Sequence, residues 1–428
     1  MPILHIGIDD TDSKQGMCTT YVGAIAVARL KEKKVKLIGT PHLIRLNPNW
    51  IHKTRGNCSV SFKVKAKESQ IPQIKNIVIE TVEELAELQI KETTPGVAFY
   101  QGEKIPDELK TFSKKVVQEI VTIEQAENLA NKIGAEVRKF RKGRGIIGAL
   151  AAIGHLLEED YTYELIAYRI EENRGTQRKI NKKSVERLNE KTYPETFDNL
   201  DFESGDIQIT PHTPCPILYG IRSESKNTAR EAKKMVKEEE PVERTLLYKT
   251  NQATDEHLQS TTVEEINPYT SVIVKGEVSE KPETITGGHV FFSIKDETGE
   301  IRCAAFEPTG EFRDKIRKLK PGDKVRVYGG VKEKSEFPLT INLEKIDILD
   351  LKPEKKENNP VCENCKINMK SAGKNKGYYC KKCGAKLPLG AGEEIEVDRE
   401  LETKLYEVPP KARRHLTKPI IRMKKSEN

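Results

Sequence analysis

The chain is predicted to be a multidomain protein that combines α/β and α+β regions with an OB-fold β-barrel and a zinc ribbon. Three observations support this fold class. Strand-like and helix-like periodicities alternate over residues 1–260. Five short strand-like runs and one helix-like run fill 267–350, and two C-x2-C pairs follow. The predicted regions are 1–135, 136–260, 267–350, 358–390 and 391–428.

Composition indicates a charge-rich protein with several cores. The chain has 428 residues, of which 36% are hydrophobic and 32% charged, and its net charge is +7. The longest nearly apolar run, 145–157, contains His155 and is too short to span a bilayer. The first residues lack a basic segment followed by an apolar one. We therefore expect a cytoplasmic protein without membrane attachment, and no segment indicates a protein partner.

An acidic motif follows the first predicted strand. Residues 4–8 alternate as in a short buried strand, and Asp9, Asp10 and Asp12 come directly after it. Carboxylates so close together repel one another, and a hard cation such as magnesium relieves that repulsion. A turn with a helix N-cap is the alternative interpretation of these residues.

Hydroxyl groups and a helix start accompany the acids, and this combination favours a phosphate site over a simple turn. An apolar helix-like run covers 22–30, and free N–H groups at a helix start can bind an anion. The small and polar residues before or at its start are Thr11, Ser13, Gly16, Thr19 and Thr20.

The remainder of 1–135 alternates between strands and helices. Strands are expected at 35–46, 58–64 and 95–100, and helices at 69–88, 107–120 and 123–133. Between the first two of these strands lies a polar loop that contains Arg45 and Arg55. These arginines could neutralise phosphate oxygens, although surface ion pairing is an equally common role.

A glycine-rich segment opens the second region. Gly143, Gly145 and Gly148 match G-x-G-x-x-G and overlap the end of the basic run 138–144. Such a match is a weak signal when it stands alone. We interpret it as a backbone nest for a phosphate, with close helix packing as a nearly equal alternative. The sequence has no G-x-x-x-x-G-K-[ST] motif, so any ATP site is not a conventional P-loop.

The second region is predicted to be ferredoxin-like. Strands at 163–170 and 245–248 and helices from 184 and over 225–237 surround a proline-rich loop. Its three prolines stiffen the backbone that presents His212, Thr213 and Cys215. No base for a Cys215 nucleophile is identifiable, so a packed thiol is the favoured role.

Residues 267–350 are predicted to form an OB-fold. Strand-like runs occur at 271–278, 289–295, 300–306, 323–331 and 339–348, with a helix over 310–319. OB-folds commonly bind single strands through aromatic stacking and basic grooves. The candidates are Phe291, Phe292, Arg302, Phe306 and Tyr328, with alternate ones expected in the core.

The last two regions predict a metal and a polyanion contact. Cys362, Cys365, Cys380 and Cys383 form C-x2-C-x14-C-x2-C, the spacing of a closed, structural zinc site. From Lys411 to Lys425 the chain has seven basic and no acidic residues. We expect this tail to contact nucleic acid phosphates.

The order of these motifs closely resembles that of the archaeal tRNA(Ile) 2-agmatinylcytidine synthetase family, over essentially the whole chain. The matching segments are G-I-D-D-T-D-S with M-C-T-T-Y, R-G-I-I-G-A-L-A-A-I-G, T-P-H-T-P-C-P, the OB-fold, the zinc ribbon and P-P-K-A-R-R-H-L. The resemblance implies that 1–135 is a kinase-like domain that binds ATP and magnesium and carries a phosphorylatable threonine. That threonine would be Thr19, with Thr20 as the alternative.

The resemblance implies that ATP activates the wobble cytidine of an isoleucine tRNA with a CAU anticodon at its 2-carbonyl. Agmatine is then joined to the base, so that AUA codons are read. Asp9, Asp10, Asp12 and Thr19 would be catalytic, and the three acids would hold magnesium. ATP or phosphate would contact Thr11, Ser13, Gly16, Thr20, Arg45, Arg55, Gly143 and Gly145. Agmatine would contact Asp206, His212, Thr213 and Cys215, and tRNA would contact Phe292, Arg302, Lys411, Arg413, Arg414 and Lys418.

Two other functions are compatible with parts of the sequence. An OB-fold with a zinc ribbon also describes non-catalytic single-strand-binding proteins, but such a protein would leave the first 260 residues unexplained. An ATP-dependent enzyme that modifies another nucleic acid is the closer alternative. The acidic motif argues against a simple binder of polyanions, because carboxylates repel phosphates.

Overall fold

The computed structural model describes residues 1–334 and 337–423. The strands are β1 (Ile3–Asp9), β2 (Lys36–Arg45), β3 (Cys58–Lys65), β4 (Gly96–Gln101), β5 (Glu136–Lys139), β6 (Thr162–Arg169), β7 (Thr196–Phe197), β8 (Ile217–Ser223), β9 (Val242–Thr250), β10 (Leu258–Ser260), β11 (Ser271–Val278), β12 (Glu283–Thr284), β13 (Val290–Lys295), β14 (Glu300–Ala305), β15 (Lys324–Lys334), β16 (Phe337–Asp350), β17 (Glu354–Glu357), β18 (Lys370–Ser371), β19 (Tyr378–Tyr379), β20 (Lys386–Leu387), β21 (Glu394–Val397) and β22 (Leu405–Glu407).

The helices are α1 (Thr19–Glu32), α2 (Ile71–Leu85), α3 (Asp107–Gln118), α4 (Ile123–Ile133), α5 (Ile146–Gly154), α6 (Lys182–Thr192), α7 (Lys226–Met235), α8 (Phe312–Arg317) and α9 (Ile420–Met423). No helix in the described ranges has the length and apolar character needed to cross a membrane.

The first two regions share a single nine-stranded sheet, with the order β5-β4-β1-β3-β2-β9-β6-β8-β7. β2 and β9 are parallel, whereas the other neighbouring pairs of this sheet are antiparallel. The two regions are therefore two halves of one sheet. In the second half, β6, α6, β7, β8, α7 and β9 follow one another in the chain and take the order β9-β6-β8-β7, which is the ferredoxin-like arrangement.

Helices cover both faces of the first half-sheet. α1 and α2 bury Val22, Val78 and their neighbours against Ile6 and Phe62 on one face. α3, α4 and α5 form a separate core with Ala98 and nearby residues on the other face. β5 pairs with β4, and α5 lies so close to β1 that a Cβ atom on Gly7 would be 2.0 Å from the Ala149 carbonyl oxygen. Residues 136–154 thus pack with the first half, although the sequence placed them in the second region.

The OB-fold is a closed barrel, as predicted. β11, β15, β16, β14 and β13 pair in this order, and β13 pairs again with β11. α8 lies between β14 and β15. Phe292, a predicted tRNA contact, is only 3% exposed in the barrel core, so that prediction was wrong. The alternation of the strand turns its neighbour Phe291 outward, where the Arg302 guanidinium lies 4.0 Å from the ring centre.

The C-terminal region is packed and is not a free tail. β22 pairs with β16, and Leu401, Val408, Leu416 and Thr417 are buried. We call residues 400–423 the C-terminal strap. The sequence did not predict this docking, because polar and basic residues outnumber apolar ones there. Residues 424–428, which include the end of the predicted basic run, lie outside the described residues.

A buried charged network joins the OB-fold, the second half-sheet and the strap. Glu344 accepts hydrogen bonds from His257 Nε2 at 3.0 Å and from the Thr417 hydroxyl, and Arg414 Nη1 lies 3.5 Å from its other oxygen. Burial opposes the ionised form, yet His257 and Arg414 lower the pKa of Glu344 to about 2. Asp255 forms a second ion pair across this junction, with the fully buried Lys345.

We expect Glu344→Gln to lower the midpoint of thermal unfolding at pH 7 by roughly 5 °C, because removing one partner of a buried ion pair costs about 3–5 kcal/mol. The pKa of Glu344 is lower in the folded state than in the unfolded chain. Its contribution to stability is therefore fully present above about pH 5 and declines as the pH falls towards 2. Calorimetry of wild type and variant from pH 7 to pH 3 measures this difference.

Glu394→Gln is the matched control. Glu394 is exposed and forms a 3.3 Å surface ion pair with Lys355, so its replacement should leave the midpoint unchanged. An equal shift in both variants, or a Glu344 effect that grows at low pH, would contradict the assignment.

Candidate active site between the two halves of the sheet

A cleft of about 460 Å³ lies where the two halves of the sheet meet. Its wall combines the acidic motif after β1, the loop 45–58 between β2 and β3, the start of α5, the proline-rich loop before β8 and the strap residues 410–415. These five segments are far apart in the sequence. The sheet order brings them together, because β1, β3, β2, β9, β6 and β8 are consecutive neighbours.

Asp9 lies at the bottom of the acidic motif, under α5. It is 9% exposed, and a Cβ atom on Gly148 would be 1.9 Å from its Oδ2. Burial, with the charges of Asp10 and Asp12, raises the pKa of Asp9 well above its usual range. No basic side chain within the described residues forms an ion pair with Asp9.

Asp10 and Asp12 each have an arginine partner. Asp10 has a positive φ of 58° and accepts hydrogen bonds from the Thr94 hydroxyl at 2.7 Å and Arg144 Nη2 at 2.9 Å. Asp12 accepts from Arg55 Nη2 at 2.6 Å and Nε at 3.0 Å. Burial raises the pKa of Asp12, although Arg55 opposes this shift. Both guanidinium groups also line the cleft.

The two candidate threonines differ in position. Thr20 is among the residues that line the cleft, although it is only 1% exposed, and its hydroxyl lies 3.1 Å from the Cys18 sulfur. Thr19 is 2% exposed, and its Oγ1 accepts a hydrogen bond of 3.2 Å from the Thr11 hydroxyl behind the cleft wall. Ser13 and Gly16 close the acidic loop through a 3.1 Å backbone hydrogen bond and also lie outside the wall.

The glycines before α5 act mainly in packing. A Cβ atom on Gly145 would be 2.3 Å from the backbone nitrogen of Gly96, so Gly145 allows α5 to approach β4. Gly143, at a φ of 65°, faces Lys139 and does not line the cleft. The structure thus favours close packing over a phosphate nest at Gly143. Between these glycines, Arg144 faces the cleft, and the sequence had not singled it out.

Loop 208–217 forms the opposite wall and contains His212, Thr213 and Cys215. Cys215 is buried and its sulfur lies 3.3 Å from Arg178 Nη2, as a packed thiol would. Asp206, the predicted agmatine acid, is exposed and outside the cleft wall, so that placement was wrong. Three acids that the sequence had not assigned line the cleft instead, namely Glu119, Glu164 and Asp198.

The strap supplies basic residues, but most are already paired. Arg413 is 6% exposed in its side chain and pairs with Asp198 and with Glu407 at 2.9 Å. Lys411 pairs with Glu203 at 3.0 Å, Arg414 donates to Asn49 at 2.6 Å, and Lys418 pairs with Asp160 at 3.0 Å. Arg413 is therefore a framework residue in this structure, and its contact with tRNA stays a prediction.

His415 also reaches the cleft. Its Nδ1 accepts a 2.6 Å hydrogen bond from Arg222 Nη2, which places the ring proton on Nε2. Burial, followed by Arg45 and Arg222, lowers the pKa of His415 well below its usual range, so the ring is neutral at pH 7.

The four ribbon cysteines fit zinc. Their sulfur atoms lie within 4.8 Å of one another, and those of Cys362 and Cys383 are 3.6 Å apart. A tetrahedral site with Zn–S bonds of about 2.3 Å requires sulfurs roughly 3.8 Å apart. β17 and β21 pair on either side of the ribbon in the chain, and none of the ribbon residues 358–390 lines the cleft. The zinc is thus structural.

Family models match four consecutive parts of the chain. They are the TiaS TCKD domain over 5–142, the TiaS FLD domain over 143–257, the OB-fold nucleic acid binding domain over 272–349 and the TiaS C-terminal zinc ribbon domain over 359–401. The first two models meet at residue 142, inside the loop before α5.

Full-length relatives and solved structures agree with these models. The tRNA(Ile) 2-agmatinylcytidine synthetase TiaS of Pyrococcus horikoshii is 48% identical and covers 100% of this chain and 98% of its own. That of Thermococcus sibiricus is 47% identical, covering 98% and 96%. The crystal structure of TiaS with its isoleucine tRNA and ATP has a TM-score of 0.88 at 44% identity. The crystal structure of TiaS with the tRNA, AMPCPP and agmatine has a TM-score of 0.85 at 41% identity. Each structure covers 99% of this chain and 98% of its own chain. The chain belongs to the tRNA(Ile) 2-agmatinylcytidine synthetase family.

Proposed function

We propose that the chain uses ATP to activate the wobble cytidine of an isoleucine tRNA with a CAU anticodon and joins agmatine to that base. The product is 2-agmatinylcytidine, which reads AUA codons. The observation that carries the proposal is the single cleft that joins the acidic motif to the proline-rich loop, in a chain of this family. A cytoplasmic setting, where tRNA and ATP meet, is part of the proposal.

The reaction requires activation because the 2-carbonyl oxygen of cytosine is a poor leaving group. Transfer of a phosphoryl or adenylyl group from ATP to that oxygen makes it a good one. The deprotonated primary amine of agmatine then attacks C2, the C–O bond breaks with release of phosphate or AMP, and the new C–N nitrogen loses a proton. The protein contributes positioning and charge stabilisation to such a reaction and need not form a covalent bond.

We infer that Asp9, Asp10 and Asp12 hold magnesium. Asp9 supports this assignment, since it is a buried carboxylate without a basic partner among the described residues and therefore needs either a proton or a cation. Bound magnesium would neutralise charge on the ATP phosphates. Arg55 and Arg144 hold Asp12 and Asp10 in place, and both arginines line the cleft, where they can donate to phosphate oxygens.

We assign the phosphorylatable threonine to Thr19, with Thr20 as the alternative. The resemblance of M-C-T-T-Y to the family motif supports Thr19, whereas the cleft wall contains Thr20. Phosphorylation of Thr19 would require its hydroxyl to leave Thr11 and turn to the cleft.

Contacts with tRNA are proposed for Arg302 with Phe291 on the barrel and for Lys411, Arg414 and Lys418 on the strap. Arg302 lies over an outward-facing ring that can stack on a base. These strap side chains already bind carboxylate or amide groups of the protein, so each would have to contact a tRNA phosphate in addition to its present partner or in place of it. A non-catalytic single-strand-binding protein remains the alternative from another class, and it would make no use of the acidic cleft.

The direct test is to incubate the protein with ATP, agmatine and an isoleucine tRNA that has a CAU anticodon and to analyse the nucleosides by mass. We expect ATP-dependent conversion of one cytidine per tRNA into its agmatine adduct. Omission of ATP or agmatine should abolish the adduct. Tight tRNA binding without adduct formation would instead support the single-strand-binding alternative.

Asp9→Asn should reduce ATP consumption on the order of a hundredfold or more, because the buried carboxylate would no longer hold a metal at the phosphates. tRNA affinity should change little, since Asp9 lies at the bottom of the cleft. The neutral amide also removes repulsion with Asp10 and Asp12, so the fold should be retained. ATP turnover and filter binding of tRNA measure the two effects.

Asp107→Asn is the control for Asp9→Asn, because Asp107 is exposed at the start of α3 and its side chain pairs with Lys110. It should behave as wild type. Undiminished turnover in Asp9→Asn would refute the metal assignment.

Thr19→Ala should abolish the phosphate label that the protein acquires from γ-labelled ATP, while Thr20→Ala should retain it. The two variants are matched, since both remove a buried hydroxyl from adjacent positions at the start of α1. Mass analysis of the labelled peptide gives the position directly. The opposite result would transfer the assignment to Thr20, and a full label in both variants would exclude both residues.

A further inference from the structure

The cleft carboxylate of Glu164 has an oxygen that accepts no hydrogen bond from the described residues. Glu164, on β6, is 6% exposed. Its Oε2 accepts a short hydrogen bond from Gln252 Nε2, and Arg45 Nη2 lies 3.7 Å from the same oxygen. No described group donates a hydrogen bond to Oε1. A carboxylate can accept several donors, so this side chain has free acceptor capacity.

The space beside Oε1 is open because residue 220 is glycine. Gly220 lies on β8, the strand next to β6, and both residues line the cleft. A Cβ atom at position 220 would lie 2.5 Å from Oε1 and displace it.

The turn after β9 fixes Glu164 and its neighbour Arg45. Gln252 binds the Glu164 carboxylate, and Asn251 clamps the Arg45 backbone by accepting from its N–H at 2.8 Å and donating to its carbonyl at 3.0 Å. Both turn residues are fully buried. Glu164 is therefore held in place before any ligand arrives, which lowers the entropy cost of binding.

The other described acids of the cleft are committed elsewhere. Asp9, Asp10 and Asp12 form the acidic motif. Asp198 forms ion pairs with Arg222 and Arg413. Glu119 is exposed and 3.9 Å from Lys115. Glu164 is thus the buried cleft acid with an open side, and three strands separate β6 from β1 and its acidic motif.

The proposed amine substrate carries a cation that this acid can bind. Agmatine has a reactive amine at one end and a guanidinium at the other, and a guanidinium prefers a carboxylate as partner. We propose that Glu164 binds the guanidinium of agmatine through Oε1 and thereby determines amine selectivity, with Gln252 as its positioning residue. This inference rests on the proposed function and identifies the end of agmatine that the protein recognises.

The test compares agmatine with n-butylamine, which keeps the reactive amine and the four-carbon chain but lacks the guanidinium. In full-length Glu164→Gln, kcat/KM for agmatine should fall roughly 10- to 100-fold through KM, because a charge-assisted bond is lost. The value for n-butylamine should stay within about twofold of wild type. Calorimetric titration of agmatine into the protein with tRNA and a non-hydrolysable ATP analogue should show the same loss of affinity.

Further variants separate recognition from folding. Gly220→Ala keeps the carboxylate but fills the space beside Oε1, so it should also lose agmatine selectively. Gln252→Met removes the donor that orients Glu164 and should give a smaller loss of the same kind. Glu119→Gln is the matched control, and it should leave kcat/KM unchanged for both amines.

An equal loss for both amines in Glu164→Gln and Gly220→Ala would overturn the inference, because a role in the framework or in reading the cytosine would affect both reactions. Unchanged agmatine affinity in these variants would overturn it as well. Absence of adduct with wild-type protein and either amine would instead overturn the proposed function, and this inference with it.

Discussion

The cleft depends on one short parallel contact. Two residue pairs, His42 with Lys249 and Leu43 with Thr250, join β2 to β9 and make two half-sheets into one. Parallel neighbours end at the same edge, so the loop after β2 and the turn after β9 begin side by side. That is why Asn251 can bind both backbone groups of Arg45. Charged residues of the cleft wall therefore lie on segments that begin at this edge of the sheet.

Buried charges hold the other regions onto this sheet. The segment 250–258 contacts the OB-fold through Glu344 and Lys345 and contacts the strap through the backbone of His415 and Leu416. Asn47 and Asn49, on the cleft loop, donate to the backbone of Tyr269 and Thr270 at the start of the barrel. Hydrogen bonds therefore join the loop that carries Arg55 directly to the start of the barrel. Such polar junctions require each partner to be in register, which fixes the relative position of the regions more narrowly than apolar packing would.

The sequence predicted most elements and the residue types of the site. Periodicity located the strand that leads to Asp9 and the strands of the barrel, and the C-x2-C spacing identified the zinc ligands, because each of these signals is local. It could not predict that residues 1–260 share one sheet, since the β2–β9 contact joins positions two hundred residues apart. It also missed Glu164 and Asp198, which lie in ordinary strand and loop patterns. Their roles depend on residues distant in the sequence: Gly220 leaves space beside Glu164, and Arg222 and Arg413 pair with Asp198. Phe292 failed as a surface residue because the register of a strand with two adjacent phenylalanines depends on the closed barrel.

Arg413 and His415 belong to the cleft wall and lie about 400 residues after the acidic motif. During synthesis the N-terminal half-sheet can form early, since its two cores come from residues before 160 apart from a few partners on β6, β8 and β9. The cleft wall, however, lacks His415 and Arg413, one of the two arginine partners of Asp198, until the strap has emerged and docked. A nascent chain, or one cleaved before the strap, would therefore carry the acidic motif without a finished cleft around it, and the chain must be made through residue 415 before the site exists.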